Sequence, residues 1–556
     1  MGHPVSFWLG ARMNRWSRSP WFWIRRIEPG LDAPFPLWMI FPVVFVALYA
    51  SHFTLMRLPY FWDEAGYYIP AAWDFYRTGS LIPTSTLTNA HPPLPSIYLA
   101  LCWKASGFLP EVTREAVLIV ASAGLLAVWA LAMRLHGSRS VAFWTLVLTG
   151  LYPIWFAQST LAHADIFAAA FALWGLVYAL PDHDRKPWAA AVWFTAAVLS
   201  KETAVAIPLT LAMVRAIEGF RARPPVRYRL WKEAAWLSSC VAPLAAWYGW
   251  HYAKTGYLFG NPQFVQYNAQ ATLEPERVLA AFVHRVLHLT AHMNMFVPML
   301  LTIAAMMLQP RTDAEGHERP GISAPVRRSI LILLLVNAVL FSMLGGALLC
   351  RYLLPMYPLV LLLAVSTFYR RVPYWQALAV LSAAAFATGL FVNPPYGFAP
   401  EDNLAYAHVV RLHQAGIAQL GKSFPGATVL SAWPVTDELR RPELGYVQQP
   451  FDVYAIDDFS AAQIARAAAE PGKYSAALVF STKYDPPRPL LSLGRRSAAI
   501  DERYFGLHHD LSPPAIARQL GGTLVWYRED PGQGQWIGLI RFNRQFEAAL
   551  DWRGGR

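Results

Sequence analysis

Charge is scarce in this chain: Asp, Glu, Lys and Arg make up 15% of its 556 residues, while 55% are hydrophobic. With a mean hydropathy of +0.28, that shortage excludes a disordered chain and argues against an ordinary soluble enzyme. Cysteine is scarcer still. Cys102, Cys240 and Cys350 lie in or beside apolar segments without metal-type spacing, so they read as packing residues and no disulfide framework is expected. Internal repeats and low-complexity tracts are missing. The formal charge of +12 would point to nucleic acid in a soluble protein. Here the basic residues form short clusters between apolar runs, as in cytoplasmic loops of membrane proteins, and no nucleic-acid partner is expected. No cleavable signal is expected either, because the basic stretch ARMNRWSRSPWFWIRR is long and the apolar run after it is of spanning length.

Long apolar runs are what the chain has in abundance. They fall near 36–56, 115–135, 140–157, 164–180, 187–200, 203–218, 234–252, 288–308, 329–349, 352–369 and 373–392, about eleven transmembrane helices by bilayer length. Basic clusters occupy every second connection: RLHGSRS (134–140), DHDRKPW (182–188), EGFRARPPVRYRLWKE (218–233), the loop with Arg311, Arg327 and Arg328, and YRR (369–371). That alternation predicts a cytoplasmic basic N-terminus over 1–35, a multi-pass chain in the plasma (inner) membrane, and an extracytoplasmic region after 393. It also requires a break at Lys201.

After residue 393 the runs shorten to TVLSAW (428–433), AALVFS (476–481), TLVWY (523–527) and WIGLI (536–540), alternating with helical patterns such as SAAQIARAAAE (460–470). The expected fold is therefore an α-helical polytopic membrane protein of about eleven spans over 36–392, with a small extracytoplasmic α/β domain over 393–556. NPPYGFAPEDN (393–403) reads as the linker.

With that sidedness, the ionisable residues collect at one membrane face. Asp63 and Glu64 follow the first span in YFWDEAGYY. His91 lies in NAHPPLP, Asp165 in QSTLAHADIF, Lys201 and Glu202 in LSKETA, and Arg351 in LLCRYLLP. Mid-span charges are nearly absent. Each residue has a plain reading as well: Asp63 and Glu64 offsetting a helix dipole, Asp165 as an N-cap, Lys201–Glu202 as a structural ion pair, Arg351 as an interfacial anchor, His91 as a residue shaped by its prolines. Random anchors would occupy both faces, so the shared side favours an interfacial active site.

The set DE after the first span, HPPL further on, D opening the fourth span, SKE, and RYLLP near the last spans resembles the GT-C superfamily of integral-membrane glycosyltransferases. Within it the likeness is to bacterial members related to protein O-mannosyltransferases and lipid A aminoarabinose transferases, over residues 36–392. The resemblance implies a polyprenyl-phosphate-linked sugar donor and transfer at the outer membrane face. It makes Asp63 the catalytic acid of the first loop and Asp165 the second acidic position. Several relatives carry Lys where this chain has His91, which leaves the charge beside the donor phosphate open.

The residue chemistry fits. Arg351 as a fork and Lys201 as a point charge suit a leaving phosphate, with His91 as a further donor. Asp63 is the candidate base for an acceptor hydroxyl on a glycolipid, glycan or protein. A single base without a carboxylate nucleophile implies inversion. Glu64, Asp165 and Glu202 stand as supporting acids that hold a divalent metal cation, orient Lys201 or bind sugar, and Tyr67, Tyr68 and Trp73 as stacking partners. The outer segment 251–277 is either a gate or an ordinary loop, and Trp433 either a sugar platform or a core residue. The rivals are a lipid-linked-sugar transporter or flippase, which would need mid-bilayer charges in matched halves, and a non-catalytic envelope-assembly factor.

Overall fold

Prolines and glycines punctuate the apolar runs and decide where helices stop. The helix Pro110–His136 opens on a proline, whose missing N–H costs nothing in a first turn, and closes on Gly137 at φ 79° with Arg134 and His136 in its last turn. By contrast, the run 140–157 is cut into Arg139–Leu151 and Pro153–Gln158, because Tyr152 before the proline turns extended. The computed structural model describes residues 36–181, 183, 185–262, 265, 272–312, 316–344, 348–484, 495–506, 509–530 and 532–542. The basic N-terminus over 1–35 lies outside these.

Among the described residues, Leu37–Leu55, Pro110–His136, Glu202–Arg221 and Ala324–Met343 are long and apolar enough to cross a membrane. Pro275–Asn294 and Phe296–Met306 would add a fifth span if taken together, bent by 99° at their break. Arg139–Leu151, Ala164–Ala179, Pro187–Val198 and Trp375–Phe391 are apolar but shorter. Helix length thus supports a multi-pass membrane protein but does not reproduce the count of eleven, since breaks at prolines and polar turns divide runs that composition alone leaves whole. The break at Lys201 is present: Pro187–Val198 ends before it and a tight turn, Glu202–Val205, leads into Ala206–Arg221.

The C-terminal sheet has five strands: β1 (Val429–Ala432), β2 (Val453–Ile456), β3 (Ala476–Phe480), β4 (Thr523–Asp530) and β5 (Gln535–Arg541), in the order β2-β1-β3-β5-β4. β2, β1 and β3 run parallel, and β5 is antiparallel to β3 and β4. β1 and β3 are buried at every position, as central parallel strands covered on both faces should be, whereas β4 is a partly exposed edge. β2 escaped the sequence reading because VYAI is short and half-exposed. The helix Ala405–Ser423 crosses the sheet so closely that a Cβ on Gly416 would meet Ile537 Cδ1 at 2.5 Å.

Candidate active site

The turn that carries Asp63 is built on a buried ion pair. Glu64 has no exposed surface and accepts from Phe61 N–H at 2.9 Å, Ala162 N–H at 2.6 Å and both Arg114 amino groups. Arg114 also donates to the carbonyls of Pro59 (2.9 Å) and Thr160 (2.6 Å). Trp62 sits at φ 48°, a left-handed conformation that a bulky side chain adopts only where its surroundings impose it. The consequence is that Glu64 points inward and Asp63, next in the chain, points out.

What Asp63 reaches is Arg351. This guanidinium is 2% exposed and donates to the Asp63 and Glu401 carboxylates, while its Nε lies 3.2 Å from Asp165 Oδ2. Asp165, in the first turn of Ala164–Ala179, accepts at Oδ1 from Lys201 Nζ at 2.6 Å. The ammonium of Lys201 stands 4.3 Å from the centre of the Tyr352 ring, a cation–π contact. Two bases therefore face three acids. Burial opposes the Arg351 charge, but Glu401, Asp63 and Asp165 together raise its pKa well above the ordinary value. Burial, reinforced by Asp63, Asp402 and Asp165 and opposed by Arg351, pushes the Glu401 carboxyl above the usual carboxylate range. Burial and the positive charges of Arg351, Lys201 and Arg114 hold His163 well below its ordinary value. Arg351 Nε and Asp165 Oδ2 meet only as an ion pair, while His163 Nε2 and Glu401 Oε1 are buried without a hydrogen-bond partner. Buried polar atoms left open in this way call for an explanation, and a polar ligand is one. Asp63 is its open side, with a side chain 32% exposed against 4% or less for Asp165 and Glu401.

The structure thus gathers Asp63, Asp165, Lys201 and Arg351. His91 stands beside this group: its Nδ1 is 2.8 Å from Glu202 Oε2, and its ring lies parallel to Tyr68 with centroids 6.1 Å apart. Tyr67 meets the same imidazole edge-on at 6.0 Å. Trp73 packs on Phe108 and Tyr76 in the main core. Each acid considered as a cation holder is already paired with a base: Glu64 with Arg114, Asp165 with Lys201 and Arg351, Glu202 with His91. Trp433 is neither a free platform nor a core residue. It meets Trp62 edge-on at 5.0 Å and lies against Gly66, so it joins the C-terminal region to the Asp63 turn. Of the segment 251–277, residues 263–264 and 266–271 lie outside the described residues. Its first part docks beside His91, through His251 Nε2 on Thr88 Oγ1 (2.7 Å) and Asn261 on the Thr88 carbonyl (2.8 Å).

Sequence reasoning missed Glu401, His163, Arg114 and Tyr352. His163 stands two residues before Asp165 in a stretch already singled out, and that was the available signal. Glu401 sits in the supposed linker, in a buried turn, Pro400–Asp402.

A cavity of about 500 Å3 begins at Glu202 and Thr203, which follow Lys201 in the chain, and runs between three helices. Leu209, Met213, Leu244, Val336, Leu340 and Leu344 give it an apolar lining.

No protein-family model matches the chain, and no curated protein matches it by sequence. Solved structures do. ArnT from Cupriavidus metallidurans bound to undecaprenyl phosphate is similar at a TM-score of 0.50 and 14% identity, over 90% of this chain and 97% of that one. The apo state of ArnT gives 0.49 at the same identity and coverage. An Archaeoglobus fulgidus oligosaccharyltransferase gives 0.43 at 13% identity, over 80% of this chain and 68% of its own. At this identity the likeness to ArnT is one of fold.

Proposed function

We propose that the protein is a membrane glycosyltransferase that moves a sugar from a polyprenyl-phosphate donor to an acceptor hydroxyl. The observation that carries this reading is the meeting of Arg351, Lys201, Asp165 and Asp63, with an apolar cavity whose lining begins at Glu202, the residue after Lys201. A phosphate headed by a sugar and trailing an isoprenoid tail needs both halves of that arrangement. The tail fits the apolar cavity. The phosphate competes for Arg351 and Lys201 and stabilises there as charge builds on the leaving oxygen. As Arg351 turns to the phosphate, it releases the exposed carboxylate of Asp63, which then takes the acceptor proton, a contribution of about 10²–10⁴-fold. Attack from the face opposite the phosphate inverts the anomeric centre. Asp165 keeps Lys201 aimed, and the His91–Glu202 pair closes the rim behind Tyr68. The resemblance to ArnT, solved with undecaprenyl phosphate, supports the donor class. We place the site on the outer face of the inner membrane, from the alternation of basic loops.

The test is transfer from a panel of radiolabelled polyprenyl-phosphate sugars to membrane extracts. Wild type should yield labelled product and name the donor. Asp63→Asn should remove turnover while leaving the protein expressed and folded. Label transfer by Asp63→Asn at the wild-type rate, or none by folded wild type from any carrier, refutes the reading.

A further inference from the structure

Three side chains outside the Arg351 cluster meet directly behind it. His292, Cys350 and Asp402 each offer a donor atom, and these atoms all lie within 4.8 Å of one another. They come from three distant parts of the chain and are buried, with exposures of 6%, 3% and 1%. His292 Nε2 is 3.0 Å from Asp402 Oδ2, while the other carboxylate oxygen, Oδ1, is buried and without a partner. On the far side of the ring, Nδ1 is 3.0 Å from Tyr396 Oη, which also accepts from Met293 N–H at 3.3 Å. A metal-binding histidine is commonly oriented in this way, with one nitrogen tied and the other aimed at the cation. The backbone is bent to achieve it. Met293 and Asn294 are both left-handed, at φ 48° and 65°, beside the 99° break between helices. Two consecutive non-glycine residues hold such angles only where their surroundings over-determine them.

We propose that His292, Cys350 and Asp402 bind one zinc-class divalent cation. Imidazole, thiolate and carboxylate together suit borderline zinc, whereas calcium and magnesium take oxygen ligands. Binding puts the ring proton on Nδ1, donated to Tyr396 Oη, and releases the Cys350 thiol proton to solvent. No electron moves. Cys350 is bonded to Arg351 and Asp402 to Glu401, so the cation ties together the two segments that present the Arg351–Glu401 pair. These three are positioning residues, and the site stands whether or not the chain transfers sugar.

Full-length protein in detergent, stripped with chelator and titrated with Co2+, decides the matter. Saturation at one equivalent, with visible d–d bands and a thiolate-to-cobalt charge-transfer band, is expected, and Cys350→Ser should lose the charge-transfer band. After zinc loading and gel filtration, the triple variant His292→Ala, Cys350→Ser, Asp402→Asn should retain none of the wild type's zinc. A wild-type protein without the charge-transfer band at saturating Co2+ overturns the proposal, and this needs no variant to fold. A folded triple variant that keeps as much zinc as wild type overturns it equally.

Discussion

Replacing Glu64 by Gln tests whether the DE pair divides its labour, one acid for the frame and one for the chemistry. The two Glu64 oxygens each receive one backbone N–H and one Arg114 amino group: Ala162 N–H and Nη1 on Oε1, Phe61 N–H and Nη2 on Oε2. A glutamine amide has a single acceptor oxygen. Whichever way it is turned, its NH2 faces two donors, and the Arg114 charge, at 1% exposure, loses its counterion. Breaking a buried pair from one side costs about 3–5 kcal/mol. Arg114→Met should cost a similar amount. The double variant buries no charge, so it should be less destabilised than the sum of the two singles by about 1–3 kcal/mol. Equilibrium unfolding in mixed micelles, followed by tryptophan fluorescence, measures all three. A Glu64→Gln protein within about 1 kcal/mol of wild type, or strictly additive singles, would show that the pair does not hold the turn.

Three further outcomes follow from the geometry. Lys201→Met removes the ammonium 2.6 Å from Asp165 and should lower kcat by about 10²–10³-fold, the usual loss for one donor to a developing anion. An unchanged kcat would take Lys201 out of the leaving-group site. Gly66→Ala places a Cβ 2.8 Å from Trp433 Nε1, an overpacking that should cost about 1–3 kcal/mol. Adding Trp433→Ala should relieve the clash, and melting temperatures of the single and double variants check this. Leu340→Trp should fill the apolar cavity and weaken binding of long-chain polyprenyl phosphate at least tenfold, on the order of 1.4 kcal/mol, while sparing a short-chain analogue. Equal loss for both chain lengths would deny the cavity to the lipid tail.

How much of this was legible in the sequence depends on the range of the interaction. Helices and most strands could be read, because hydrophobic runs and their punctuation are local. Asp63, Asp165, Lys201 and Arg351 could be singled out because an ionised side chain at a membrane edge is costly and draws notice one residue at a time. Their partners could not. Arg114 is paired across 50 positions, and the Arg351–Asp63 contact spans 288; no periodicity reports a contact of that kind. Glu401 and Asp402 are the sharper case. In APEDN they look like an acidic loop beside a proline, and only the fold shows both carboxylates buried. The count of spans is not reproduced by helix length for the opposite reason, since composition blurs breaks such as Tyr152–Pro153 into one run.

The region after 393 packs directly on the segments that present Asp63 and Arg351. Glu401 supplies one of the three acids on Arg351. Tyr406 Oη lies 3.0 Å from Thr160 Oγ1, and Tyr446 Oη donates to the Tyr60 carbonyl at 3.0 Å. Trp433 covers Gly66. Tyr406, Ala407, Val409 and Val410 share one apolar cluster with Leu55, Leu58, Phe61 and Phe156. The Tyr406, Tyr446 and Trp433 contacts fall on or beside the segments 59–64 and 160–162 that the Glu64–Arg114 pair ties together, so the turn presenting Asp63 is held by both. If the C-terminal region moves when an acceptor arrives, Trp433 and Glu401 carry that motion to Asp63 and Arg351, the two side chains on which the proposed transfer depends.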